Sequence, residues 1–472
     1  MPHTTIKANN VQPGKECYVL FPKGDGASMS WTLPSGWLAK ETHDATFWYA
    51  ANYGTGLVIP TSQTSGTFNV GSHPTYGTLS VTVVHSGSHR PTRYIERATD
   101  TSIRSYLSRG YNIELGPGRH YIYNEIPVPH NARIQGNNST LIRKNSADTK
   151  NRIFVPSGNI FIDGITFDVD KDILINNYPN NEFNVWYLHT ATSPFSGYAE
   201  ITNCTIRHGS MLGVGSGSVI EDCVFEKGGG LSAPNNSIIR GNKFIGHTLP
   251  GFHSCSFGSN SGCLVSSNHF INTNRGLVIQ NGGAIWSCFL ENYFEGINGG
   301  ENNSSEVILL EAFTPLGPDS GIRDNAFIGM YIHQCVGAGI ELYGGGIHDN
   351  IFSYGEIYTE TPSIYIYSNF PSYRIGKNDF SQLFCKGPLY VSGPATGISL
   401  TSIQFIDGTR CNPRQDAGDI TNIVTSLSGF PITTGTASAT TGIYTFSNVR
   451  LLASDRSVQN INSITFRPTY TG

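Results

Sequence analysis

The chain has 472 residues and a formal net charge of −4 at pH 7; 14% of its residues are charged, and it holds 54 Gly but only 4 Met. That length can bury several cores, and a glycine-rich, charge-poor composition suits many turns and few helices. No run of Lys and Arg marks a nucleic-acid surface, and no apolar run approaches the ~20 residues that a membrane span needs, so neither partner is expected.

The opening residues, MPHTTIKANN, lack the basic-plus-apolar pattern of a secretory leader, so assembly in a cytoplasm is expected. Residues 1–95 carry alternating strands, CYVLF at 17–21 and TLSVTVVH at 78–85, with aromatics gathered in WTLPSGW and FWYA. They read as a small β domain, joined through the polar, basic SGSHRPTRY at 86–94. TSIRSYLSR at 101–109 then predicts a short amphipathic helix, with Asp100 as N-cap and Gly110 as its stop. Two strand-like pieces follow around a Gly-Pro-Gly turn, in YNIELGPGRHYIYNEIPVP.

From there a two-point anchor recurs nine times. A large apolar residue stands at Phe167, Ile206, Phe225, Phe244, Phe270, Phe294, Phe327, Phe352 and Phe380. Five residues before each stands another: Ile162, Ile201, Ile220, Ile239, Val265, Phe289, Ile322, Ile347 and Ile375. Two before it, eight of the nine positions are Asn or Cys: Cys204, Cys223, Asn242, Asn268, Asn292, Asn325, Asn350 and Asn378. Successive anchors lie 19 to 39 residues apart, an irregular period that marks a solenoid whose repeats take insertions. Segments such as IRDNAF and IHDNIF alternate as strands do. An Asn at one rung position stacks through its side-chain amide and tolerates the left-handed backbone of a sharp turn.

This pattern resembles the right-handed parallel β-helix of the pectate-lyase-like superfamily, over about residues 96–385. The expected fold is therefore all-β: a solenoid at 96–385 with a capping helix, a small N-terminal β domain at 1–95, and a Thr-, Ser- and Gly-rich β domain at 386–472. A chain in three such parts is similar to bacteriophage tailspike proteins. That resemblance implies attachment to phage tail or adaptor proteins through the first domain and recognition of a bacterial surface polysaccharide by the coils. It also implies a homotrimer built with the last domain, a place in the virion, and assembly in the host cytoplasm.

In such coils a ligand lies in a groove walled by inserted loops. The insertion at 168–198 holds Tyr178, Trp186 and Tyr187, whose ring faces can stack on sugars; packing of the loop onto the coils is the plainer use. The insertion at 295–321 holds Glu306, Glu311 and Asp319, and Glu341 and Tyr343 follow in AGIELYGGG. Glycoside hydrolysis needs two carboxyl groups across the scissile bond, and carboxylates on adjacent coils stand ~5 Å apart. Glu311 with Glu341 is the favoured catalytic pair. Glu306 is a third candidate, though its five-residue offset from Glu311 would turn it to the other face of a straight strand. Trp186, Tyr187, Tyr178 and Tyr343 are the candidate substrate contacts.

Asp222, Asp324 and Asp349 share a slot three before the anchor with Asn203, Gly241, Ser267, Glu291 and Lys377, which reads as a solvent-facing turn. His208, His247 and His269 read as turn or core histidines. Nine cysteines without a CxxC pair suit neither a metal site nor a disulfide framework, so no metal and no cofactor are expected. The polygalacturonase set of NTD, a DD pair, GHG and RIK is absent. This leaves three readings: a spike that binds and hydrolyses a glycan, a spike that only binds, and a free-standing lyase or hydrolase.

Overall fold

The computed structural model describes residues 30–40, 54–60, 62–73, 77–83, 90–144, 152–169, 197–209, 217–228, 237–246, 262–280, 287–298, 306–312, 321–359, 362–367 and 375–387, with single strands and short turns outside these ranges. The chain divides into two compact units, Met1–Ser256 with Asn260–His269, and Phe257–Ser259 with Phe270–Gly472.

The first unit begins with two small sheets. Gly66–His73 pairs antiparallel with Gly77–Val83 and with Ser30–Trp31, and Lys7–Val11 joins Gly77–Val83 in parallel. Gly54–Val58 pairs antiparallel with Glu16–Leu20 and with Leu38–Lys40. Trp37, Leu57, Ile59, Val70, Leu79 and Val81 fill a core of their own. The indole N–H of Trp37 donates to Gln63 at 2.7 Å.

Parallel pairing starts earlier than the sequence boundary. Thr92–Ile95 already lies parallel to Asn112–Leu115, so it belongs to the coils rather than to the segment before them. The helix Asp100–Ser108 is capped by Thr99, not Asp100. Thr99 has extended backbone, and its hydroxyl accepts the Ser102 N–H at 3.2 Å while the Thr99 N–H donates to Ser102 Oγ at 2.9 Å. This reciprocal pair satisfies two orphan donors, the physical purpose of a cap. Asp100 is instead buried in the first turn and accepts from Asn124 at 2.6 Å. The expected stop holds: Gly110 adopts φ +85 and returns its N–H to Leu107 at 3.0 Å.

Beyond the helix the first unit is a stack of parallel coils. Ile162, Ile201, Ile220, Ile239 and Val265 follow one another in register, as do Phe167, Ile206, Phe225 and Phe244. All are at most 1% exposed, and the Phe225 and Phe244 rings stack at 4.8 Å. Each buried Phe contributes about 1.5–3 kcal/mol relative to exposure. Asn242 Nδ2 donates to Asn268 Oδ1 at 3.0 Å and also to the Ile220 carbonyl at 2.9 Å, so the amide ladder is physical. The left-handed turn, however, falls one residue earlier. Asn203, Asp222, Gly241 and Ser267 have φ between 53 and 67, and the ladder residues after them do not. The amide that makes the ladder is thus held by the coil, and the strained backbone sits on the exposed slot beside it.

The second unit repeats this construction with one shift. Phe289 stacks on Phe327 at 4.4 Å, then Phe327 on Phe352 at 4.6 Å and Phe352 on Phe380 at 4.7 Å. Phe294 pairs instead with Ile332. The nine anchors therefore do not form one column: at Phe327 the motif moves onto the column of the residue that preceded it. The earlier apolar anchors Ile322, Ile347 and Ile375 accordingly lie on a separate sheet, formed by Ile322–Arg323, Ile347–His348, Ile375–Gly376 and Ala395–Thr396. The amide ladder shifts with them, running Asn325 to Asn350 to Asn378 with Nδ2···Oδ1 distances of 2.9 Å.

Parallel pairing also continues past residue 385, where the repeat signature ends. Asp379–Cys385 pairs with Ser399–Phe405, and that strand with Val424–Leu427. These rungs keep the alternation but drop the Asn slot, so the motif could not register them. Thr436–Ala437, Tyr444–Leu452 and Val458–Phe466 then form an antiparallel sheet. The fold is an all-β solenoid, a parallel β-helix, as the repeat implied. The seven described cysteines are buried and free of disulfides.

Candidate active site

A second parallel sheet in the second unit carries the carboxylates. Its strands are Leu277–Gln280, Ile308–Ala312, Ile340–Gly344, Ile364–Tyr367 and Leu389–Ser392, in that order. Alternation sends Leu277, Ile308, Ile340, Ile364 and Leu389 inward, all at most 1% exposed. Two outer rows remain. One reads Val278, Leu309, Glu341, Tyr365, Tyr390, and the other Gln280, Glu311, Tyr343, Tyr367.

Glu311 and Glu341 therefore stand on neighbouring strands of one face. They lie on a diagonal, because Glu311 is in register with Tyr343, two residues beyond Glu341. One strand spacing and a two-residue advance put their Cβ atoms about 8 Å apart. Glu311 is 9% exposed and accepts a hydrogen bond from Gln280 Nε2 at 2.6 Å. Burial pushes its carboxyl up, while the Gln280 bond and Arg275 pull it down. Glu341 has no such donor. Burial, then Glu306, then Glu311 push it up to about 8, against the weaker pull of Arg275. Both carboxyls are raised, with burial the first cause in each, and Glu341 is the one carried to about 8.

Glu306 enters this field from outside the strand. It precedes Ile308–Ala312, so the face rule for a five-residue offset does not reach it. By register it matches Arg275, two residues ahead of Leu277, and the two form an ion pair at 2.9 Å. Tyr343 faces both carboxylates. Its ring stacks on Tyr367 at 5.3 Å, and burial, Tyr367, Glu311 and Glu341 together raise its hydroxyl.

Arg275, Gln280, Tyr365, Tyr367 and Tyr390 were not among the residues picked from the sequence. The tyrosines had a legible signal, the Ile-Tyr alternation of IYIY at 364–367. Gln280 had none, since LVIQ reads as the end of a buried run. Trp186 and Tyr187 stand in the first unit on Trp186–Leu188, which pairs parallel with Arg152–Pro156. Tyr178, Asp319 and His247 lie outside the described residues. The discounted acids Asp222, Asp324 and Asp349 do occupy left-handed turns, with φ of 53, 57 and 57, and His208 adopts φ 52 beside Asp168 at 3.0 Å. No group of three metal-binding side chains occurs among the described residues.

No protein-family model matches the chain, and no curated protein sequence does. Among solved structures it is similar to the periplasmic alginate epimerase AlgG, at 12% identity and a TM-score of 0.41, over 69% of this chain and 83% of that one. It is also similar to tailspike protein 3 of bacteriophage CBA120, at 13% identity and a TM-score of 0.35, over 76% of this chain and 66% of that one. A third is the Dettilon tailspike protein, at 10% identity and a TM-score of 0.38, over 68% and 67% of the two chains. These likenesses concern the coiled architecture, which the strand pairing defines independently.

Proposed function

We propose that this chain is a tailspike-type protein that binds a bacterial surface polysaccharide along the outer rows of the second unit and cleaves it by hydrolysis. The observation that carries this reading is the pair Glu311 and Glu341 on adjacent strands of one face, with Glu341 pushed up to about 8. Glu341 keeps its proton at neutral pH and donates it to the leaving glycosidic oxygen. Glu311, steadied by the Gln280 N–H, acts on water or on the sugar carbon. The Arg275–Glu306 pair sets the charge around both. Tyr343 and Tyr367 hold the sugar beside the carboxylates. In this reading the small β domain before the coils attaches to phage tail or adaptor proteins, the segment after them serves a homotrimer, and the protein acts in the virion at host adsorption.

The test is incubation with surface polysaccharides of candidate hosts, following reducing ends together with the absorbance of unsaturated uronic acid. Reducing ends without that absorbance are expected. Glu341→Gln and Glu311→Gln are each expected to lower the rate by about 10²–10⁴-fold while binding persists. Wild-type activity is expected to fall above about pH 8, as Glu341 loses its proton. A glycan that binds but is never cut would leave recognition without catalysis.

A further inference from the structure

Charge is distributed very unevenly along this chain. Residues 276–373 contain eleven Asp and Glu but a single Lys or Arg, Arg323, while the other 374 residues carry 29 basic and 23 acidic side chains. The net acidity of the whole molecule thus resides in the coils that bear Glu311 and Glu341. The one internal cation is already engaged, since Arg323 Nη1 bonds Asp324 at 2.6 Å. Arg275, just before this stretch, is held by Glu306 at 2.9 Å. The two outer rows of the carboxylate sheet contain no Lys or Arg among the described residues, and the inserted segments 281–307 and 313–321 contain none in sequence.

A polysaccharide bearing uronate, phosphate or sulfate groups needs cationic partners, ordinarily Arg or Lys donating charge-assisted hydrogen bonds. Here its anions would lie beside the Glu311 and Glu306 carboxylates, within about one Debye length, ~8 Å at physiological salt, while the nearby guanidinium of Arg275 is already held by Glu306. The field of the whole segment would also disfavour its approach. Tyrosines and carboxylates together instead suit neutral sugar rings, with aromatic faces or edges against the C–H surface and acceptors for hydroxyl groups.

We infer that the polymer handled by these coils is an uncharged polysaccharide, one without uronate, phosphate or sulfate along the stretch in contact with the site. This rests on the reading of the groove as a polysaccharide site. It carries a chemical consequence: β-elimination begins at the carbon beside a uronate carboxylate, so an uncharged polymer leaves hydrolysis as the route of cleavage.

The experiment uses uronate-containing capsular and O-antigen polysaccharides in two forms, as isolated and after reduction of their carboxyl groups to primary alcohols, beside neutral polysaccharides. Within each pair only the carboxyl carbon is changed, from an anion to an uncharged hydroxymethyl group. Binding and release of reducing ends are followed at low and at physiological salt. Neutral polymers and reduced twins are expected to bind, with the native acidic form at least ten-fold weaker and the gap narrowing as salt rises. A native acidic polymer that binds as well as its reduced twin, or better, with or without added calcium, overturns the inference while leaving a polysaccharide site in place. Failure to bind any glycan in any form overturns the polysaccharide reading, and this inference with it.

Discussion

Glu341 shows how position on one face becomes a pH-dependent property. Its carboxyl is raised from an ordinary 4.5 to about 8, first by burial and then by Glu306 and Glu311. Between those pH values the folded chain holds a proton that the unfolded chain has released, so stability must fall as pH rises through the window. Glu311 is shifted in the same direction, with burial again the first cause. The melting temperature is therefore expected to drop from pH 5 to pH 8. Glu341→Gln should flatten that drop, matching the wild type near pH 4 and exceeding it above pH 8. A variant that melts in parallel with the wild type across the whole range would mean that Glu341 is ionised in the fold.

At the scale of the element, the buried amide ladder organises the turns. Asn350 sits at its centre in the second unit. Its Nδ2 donates to Asn378 Oδ1 at 2.9 Å and to the Ile322 carbonyl at 2.9 Å, while its Oδ1 receives the Asn325 amide at 2.9 Å. Replacing it by Ala strands several buried polar groups, each costing about 1–3 kcal/mol when left without a partner. Asn350→Ala should lower the thermal midpoint of the second unit strongly. Asp349→Asn, on the half-buried left-handed slot beside it, keeps a side chain that tolerates φ 57 and gives up the charge that meets His348 Nδ1 at 2.8 Å, so it should lower the midpoint much less than Asn350→Ala. Equal effects from the two substitutions would show that the turn, not the ladder, sets stability.

At the scale of the molecule, segregation of charge and the change of column at Phe327 both concern how coils follow one another. Neither is visible in composition, where −4 over 472 residues looks unremarkable. A tailspike-type assembly makes a separate demand, three chains about a common axis. Light scattering of the purified protein should give the mass of three subunits. A value of one subunit, or 51.2 kDa, would remove the trimer and favour a free-standing enzyme.

The local chemistry of a coil was written in the sequence. Two apolar residues five apart, an Asn or Cys between them and a tolerant slot before it specify buried anchors, a ladder and a turn, because each follows from side-chain size, amide geometry and backbone sterics within six residues. That the left-handed backbone falls on the slot rather than on the Asn was not legible. The helix was legible too, though its cap was not: Asp100 and Thr99 are both good caps, and the reciprocal Thr99–Ser102 hydrogen bonds, with Asp100 turned to Asn124, separate them. What the tertiary structure decided is lateral. Gln280 meets Glu311 across 31 residues, Arg275 meets Glu306 across 31, and Tyr343 meets Tyr367 across 24. Those meetings depend on how many residues each coil consumes before it returns to the same sheet. Insertions make that number vary, and the same hexapeptide motif can recur on a different column, as it does at Phe327. A repeat fixes what each rung looks like; only stacking fixes which rung residues become neighbours.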